Sequence, residues 1–180
     1  MKDRLFEPWA LTVTAAIAIA VLIMIPSKTI AQGSGASEAT MEERKATSRK
    51  SIQWWNSDFQ VDPDSLFAPG YVNHQEPIAA SDGETGVTLE ELKSIVESYH
   101  GAFPGTKVAF QMQIVDGNRV ATHWTFTGTQ KGSYEGLAPT DKTVSWAGIS
   151  IDEYDADGKI KETWVVWDKF TLFRTLGLIK

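Results

Sequence analysis

After Pro104-Gly105 the apolar residues stop recurring at helical spacing and begin to alternate, and that switch of period from 3.6 to 2 limits what the chain can become. Before it, Thr88 and Glu91 form a capping box, and Leu89, Leu92, Ile95, Val96 and Tyr99 follow on one helical face. After it come four strand-like runs. Residues 108–115 turn through Asp116-Gly117-Asn118 into residues 119–128, because glycine and asparagine accept the positive φ of a tight turn. Residues 142–154 form a long run, and Asp155-Ala156-Asp157-Gly158 turns it into residues 159–168. A short apolar segment at 170–178 closes the chain. Upstream, residues 41–56 read as a first helix with Ile52, Trp55 and Phe59 toward one side. Asp62-Pro63 opens a brief helical turn that Pro69-Gly70 ends, Tyr71 to His74 is extended, and residues 79–86 are a polar loop. Helices first and an antiparallel meander after them give an α+β fold, with helices over one face of a bent sheet and a concavity beneath them.

The beginning of the chain reads differently. Lys2 and Arg4 precede an uncharged apolar stretch at 10–25, Pro26 breaks it, and Thr29-Ile30-Ala31 has the small-x-small pattern of a cleavage site. Residues 1–31 are therefore expected to be a secretory signal or, uncut, a membrane anchor, since the stretch is a little short of a comfortable span. Residues 32–40 have linker composition, and 41–180 are the folded domain, placed in the periplasm or outside the cell. A net charge of −6 with scattered basic residues excludes a nucleic-acid partner. The absence of cysteine removes disulfides, thiolate nucleophiles and Cys-type metal sites.

Several segments, taken in order, carry a resemblance: Leu66-Phe67-Ala68-Pro69-Gly70-Tyr71-Val72-Asn73-His74, then Ala102-Phe103-Pro104, then the hairpin from Asp116 to Thr129 with Trp124 at its centre. Gly136-Leu137-Ala138-Pro139-Thr140, Asp157-Gly158-Lys159-Ile160, Trp164, Asp168 and Leu176-Gly177 complete the set. Together they resemble SnoaL-like polyketide cyclase and ester cyclase proteins of the NTF2-like superfamily, from about residue 52 to the C-terminus. The resemblance implies a cone with a curved antiparallel sheet and about three helices around a hydrophobic pocket. It also implies a homodimer and an aldol-type ring closure without metal or cofactor. In those cyclases an aspartate after the tryptophan near the last strand is the general acid/base, and Asp168 matches it. The chain departs from many relatives in having His123 before the strand tryptophan and Gln130 after the Gly-Thr pair.

Alternation sends Glu162, Trp164, Val166 and Asp168 to one face and Lys161, Thr163, Val165 and Trp167 to the other. A carboxylate buried beside Trp164 would have a raised pKa suited to moving a proton at carbon, so Asp168 is the candidate base; the other reading makes it the cap of the C-terminal helix. His74 either points into the pocket mouth, to polarise a carbonyl, or is a hydrogen-bonded structural histidine. Tyr71, Trp124, Trp146, Tyr154 and Trp164 are candidate pocket walls, against the plain alternative of core aromatics. If Trp124 faces the pocket, His123 faces away, toward a subunit contact. Seven tryptophans favour a flat apolar ligand or an aromatic interface. The three histidines lack metal-ligand spacing, and no nucleophile elbow, phosphate loop or dinucleotide fingerprint occurs.

Three functional readings remain open. One is an exported, cofactor-independent acid/base enzyme of cyclase, isomerase or lyase type, acting on a small apolar carbonyl or polyketide-like substrate through Asp168 with His74 or Tyr154. The second is a non-catalytic protein of the cell envelope that holds a small hydrophobic ligand. The third is an assembly module that pairs through its open sheet face. For the leading segment, intact mass spectrometry of the protein from its own host decides between the alternatives. Cleavage predicts a soluble chain beginning at Gln32, and an anchor predicts the uncut chain in the membrane fraction.

Overall fold

The computed structural model describes residues 37–75 and 86–180; the segment at 1–31, the linker as far as residue 36 and the polar loop at 79–85 lie outside the described residues. The elements are α1 (Glu38–Gln53), β1 (Phe67–Gln75), β2 (Val87–Thr88), α2 (Leu89–Ala102), β3 (Lys107–Asp116), β4 (Arg119–Thr129), β5 (Thr143–Tyr154), β6 (Ile160–Trp167) and α3 (Lys169–Leu176). A 3₁₀ turn at Pro63–Ser65 precedes β1, its first amide region capped by Asp62.

Local chemistry accounts for most boundaries. Thr88 and Glu91 cap α2 reciprocally: the Thr88 N–H donates to Glu91 Oε2 at 2.8 Å, and the Glu91 N–H donates to Thr88 Oγ1 at 3.4 Å. Leu92, Val96, Tyr99 and Ala102, spaced along one stripe, are the residues α2 buries. The Asp116/Arg119 pair closes the β3–β4 hairpin over Gly117, whose φ of +55° requires a residue without Cβ strain. At the end of α3, Gly177 takes the left-handed conformation and returns its N–H to Phe173 O, which ends the helix. α1 begins at Glu38, inside the stretch read as linker, because Ser37 accepts a hydrogen bond from the Thr40 N–H and so caps it.

The sheet order is β2-β1-β6-β5-β4-β3, and β2 and β3 are free edges. The meander β3 to β6 is antiparallel, as expected, but β1 runs parallel to β6, so the sheet is mixed. Parallel neighbours need a long crossover, and α2 with four strands, β2 to β5, supplies it. Pro69-Gly70 ends no helix; it lies within β1, where the partner moves from Ile160 at Phe67 to Glu162 at Val72, five steps along β1 against two along β6. Proline has no N–H for a ladder, and a bulge with Gly70 at φ +77° is where such a residue fits.

Alternation then decides which side chains are covered. On β5, Val144, Trp146, Gly148, Ser150, Asp152 and Tyr154 are buried under the helices, and Ile149 and Ile151 are exposed on the other face. Two apolar clusters form on the covered side. One gathers Trp124, Phe126, Trp146, Tyr99 and Phe103 with Leu172 and Leu176 of α3. The other gathers Trp54, Phe67, Tyr71, Val96, Tyr154 and Ile160. Trp124 lies flat across β5 because its cross-strand partner is Gly148: a Cβ there would collide with the Trp124 ring. The indole N–H reaches past that glycine to donate to Ser150 Oγ at 2.8 Å. Gly148→Ala is expected to cost about 1–3 kcal/mol, the usual penalty for forcing a large side chain off its rotamer. Chemical denaturation measures the loss, and a shifted tryptophan emission shows that the indole has moved.

Candidate active site

Between the two clusters the covered face leaves a cavity of about 490 Å³, within the range of small-molecule sites. Its walls are aromatic: Trp55, Tyr99, Trp124, Phe126 and Trp146. Ser94, Ile95 and Ser98 of α2, Glu135 of the β4–β5 connection and Lys169 and Phe173 of α3 also line it. Gln130 holds that connection in shape. Its buried side chain donates to Gly132 O at 3.1 Å and Ala138 O at 3.3 Å and accepts from Thr140 Oγ1 at 2.6 Å. Gln130 thus acts as an internal brace for the loop that carries Tyr134 and Glu135 to the cavity.

Polar groups converge at one part of the wall, on β1, β5 and β6. Asp152, 1% exposed, accepts from Thr163 Oγ1 at 2.8 Å through Oδ1, while Oδ2 has no partner among the described residues. Burial pushes its carboxyl up to about 6, against the opposing pull of the nearby Ser48 hydroxyl and of Thr163. Tyr71 stands close enough for the Asp152 charge to be felt at its hydroxyl, and burial raises that hydroxyl far above its ordinary range, so it remains a neutral donor. Asn73 Nδ2 donates to Tyr71 Oη at 2.8 Å, and Asn73 Oδ1 is left without a partner among the described residues. Ser150 completes the group by accepting from Trp124. A carboxylate titrating near neutrality beside a protonated phenol, inside aromatic walls, can accept a proton from carbon and steady the oxyanion that results.

Of the residues singled out from the sequence, Tyr71, Trp124 and Trp146 line this cavity. The other four lie elsewhere. Asp168 is exposed and caps α3, with its Oδ1 accepting from the Thr171 N–H at 2.8 Å; the Thr171 hydroxyl and that N–H hold its carboxyl below the usual range, the opposite of what a buried base needs. His74 points to the outer face, stacked on Trp164 with ring centroids 5.1 Å apart and bonded to Glu162 Oε2 at 3.2 Å. Trp164 shares that face, with the Arg119 guanidinium 5.8 Å from its ring. Tyr154 is core: its hydroxyl donates to Arg44 O and bonds Ser48 Oγ, both at 2.7 Å, tying β5 to α1. The face of β6 that looks into the cavity is the one carrying Thr163, Val165 and Trp167. His123, as alternation requires, faces away from Trp124's side.

The residue missed is Asp152, and alternation carried its signal, since it shares parity with Trp146 and Tyr154 on one strand. Among the described residues no helix is long and apolar enough to cross a membrane, and no three histidine or carboxylate side chains gather as metal ligands.

The fold has relatives among known proteins. A family model described as SnoaL-like polyketide cyclase matches residues 46–176. Among solved structures the chain is similar to AclR from Streptomyces galilaeus, described as a proposed hydroxylase, at 26% identity over 78% of this chain and 99% of that one, with a TM-score of 0.67. It is also similar to IdmH from Streptomyces antibioticus, described as a proposed polyketide cyclase, at 25% identity over 74% and 98% of the two chains, TM-score 0.62. A proposed SnoaL-like polyketide cyclase from Jannaschia, at 16% identity over 77% and 94% with a TM-score of 0.64, shares the fold. No curated protein matches the chain.

Asp152 has a stability signature. Its folded value of about 6 lies above the ordinary 3.8, so between these values the folded state binds more protons than the unfolded one and stability falls as pH rises. At 1.36 kcal/mol per unit, the loss from below pH 4 to above pH 6 is roughly 3 kcal/mol. Asp152→Asn removes it, so the variant is expected to gain stability relative to wild type between pH 4 and 7, read as a widening difference in Tm.

Proposed function

The chain belongs to the SnoaL-like polyketide cyclase family and has its NTF2-like cone fold, and on that premise we propose an acid/base enzyme of cyclase type in which Asp152 moves the proton. The observation that carries this reading is the unpartnered Asp152 Oδ2, buried in the wall of an aromatic cavity with its carboxyl raised to about 6. The substrate is a small, largely apolar carbonyl compound able to close a ring. Asp152 takes a proton from the carbon next to a carbonyl, and the electron pair moves to that oxygen as an enolate. Tyr71 donates a hydrogen bond to the enolate oxygen. The enolate carbon attacks a second carbonyl of the same molecule, forming the carbon–carbon bond, and the new alkoxide takes the proton back from Asp152. Atoms and charge balance without an external reagent. The apolar stretch at 10–25 behind Lys2 and Arg4 supports action outside the cytoplasm.

Proton abstraction is measurable without the natural substrate. In deuterated buffer, wild type is expected to accelerate exchange of the α-protons of 2-tetralone, with a rate that rises through an apparent pKa near 6 as Asp152 ionises. General-base contributions are typically about 10²–10⁴-fold, so Asp152→Asn should lose at least two orders of magnitude. Asp168→Ala should keep the rate and lose about 1 kcal/mol of stability with its helix cap. Unchanged exchange in Asp152→Asn sinks the proposal. A probe bound equally by both proteins and exchanged by neither points instead to a ligand-binding protein.

A further inference from the structure

The polar part of the cavity wall is short of donors. Asn73 is 4% exposed and belongs to the cavity wall, and its amide is oriented by the Nδ2 bond to Tyr71 Oη. Asn73 Oδ1 and Asp152 Oδ2 are both acceptors, both buried, and both without a partner among the described residues. Three nearby donors are spent, Thr163 Oγ1 on Asp152 Oδ1, the Trp124 indole on Ser150 Oγ, and Asn73 Nδ2 on Tyr71, and the Tyr71 hydroxyl is kept for the enolate oxygen. A ligand offering only carbonyl oxygens at this end would leave both acceptors dry. A buried unpaired acceptor costs about 1–3 kcal/mol, and a site built to bond a hydroxyl rejects analogues that lack it far more strongly than a greasy pocket rejects a missing methylene.

From this we infer that Asn73 is a specificity residue whose Oδ1 accepts a hydrogen bond from a hydroxyl on the ligand, so that the cavity selects flat apolar molecules bearing a hydroxyl at their buried end. The inference rests on the reading of the cavity as a substrate site and names the class of molecule that enters it. The aromatic walls Phe126, Trp146 and Tyr99 take the flat body. One donor on the ligand satisfies Asn73, and Asp152 Oδ2 stays free for the carbon-bound proton. An asparagine serves here better than a second aspartate, because a neutral acceptor adds no charge beside Asp152.

Binding of three matched probes at pH 7 tests this: 2-naphthol, its methyl ether 2-methoxynaphthalene, and naphthalene, each followed by quenching of tryptophan emission. In wild type 2-naphthol is expected to bind at least tenfold more tightly than the ether. In Asn73→Leu, which keeps the volume and removes the acceptor, that ratio should fall below threefold while naphthalene affinity stays within a factor of two. Circular dichroism checks the fold of the variant, and if it does not fold, the wild-type ratio alone decides. Equal binding of naphthol and ether by wild type overturns the inference, and so does a ratio that survives in Asn73→Leu or a failure of all three probes to bind. None of these readouts involves turnover. Absence of the hydroxyl preference in wild type, with α-proton exchange intact, therefore removes only the role of Asn73, and intact preference without exchange removes only the chemistry.

Discussion

Strand alternation in the β3–β6 meander is the constraint on which the rest of this molecule depends. Once the hairpins set the register, every second side chain on four adjacent strands must go under the helices, whatever its polarity. Most of those positions hold Val, Phe or Trp, and they form the two clusters that stabilise the fold. Asp152 and Thr163 are carried in by the same parity, side by side on β5 and β6. One hydrogen bond between them does not offset the cost of burying a carboxylate, and the apolar packing on either side has to. The cavity survives at this place because the wall contains groups that ordinary core packing would leave unsatisfied.

The pleat separates the electrostatics as well. Asp152 and Glu153 are consecutive, yet burial raises the first to about 6 and the ion pairs with Lys161 and Arg119 hold the second at about 2. A single step along the strand takes a carboxylate from an aromatic interior to a place on the other face where two cations, Arg119 and Lys161, cover it. The same division places the His74–Glu162–Trp164 group outside, where it braces the β1–β6 junction against solvent and leaves the cavity to Asp152, Tyr71 and Asn73.

Features governed by a few neighbouring residues were legible in the sequence. The Thr88/Glu91 box, the Gly117 hairpin and the period switch after Gly105 gave α2 and the meander within a residue or two, and the ordered motifs gave the family and the cone. Long-range features were not. Nothing local tells Phe67–Gln75 that it will lie parallel to a strand near the other end of the chain, so Pro69-Gly70 read as a stop and not as a bulge. Asp168 misled for a related reason: alternation was extended one residue beyond Trp167, to a position where the chain has already turned to start α3 and the carboxylate is used on its own helix. Which face of β6 is covered depends on the helices, and Trp164 gives the even-numbered face the character of a pocket wall although it packs against His74 and Arg119 on the outside. On β5 the parity of Trp146 and Tyr154 points at Asp152, but an isolated aspartate in a strand carries no motif of its own, whereas Asp168 matches one.

The parallel β1–β6 pair also orders the assembly of the molecule in time. The meander closes through turns of a few residues, whereas Phe67 meets Ile160 across more than ninety residues of chain, and contacts of that separation carry the larger loop-closure entropy. Tyr71 and Asn73 come with β1. Until that strand docks, Asp152 and Thr163 have a wall on one side only, and the carboxylate is hydrated like any surface acid. Its elevated proton affinity is thus a property of the finished fold, acquired at the same step that closes the sheet, and a chain arrested before that step would hold a sheet and helices around an ordinary carboxylate.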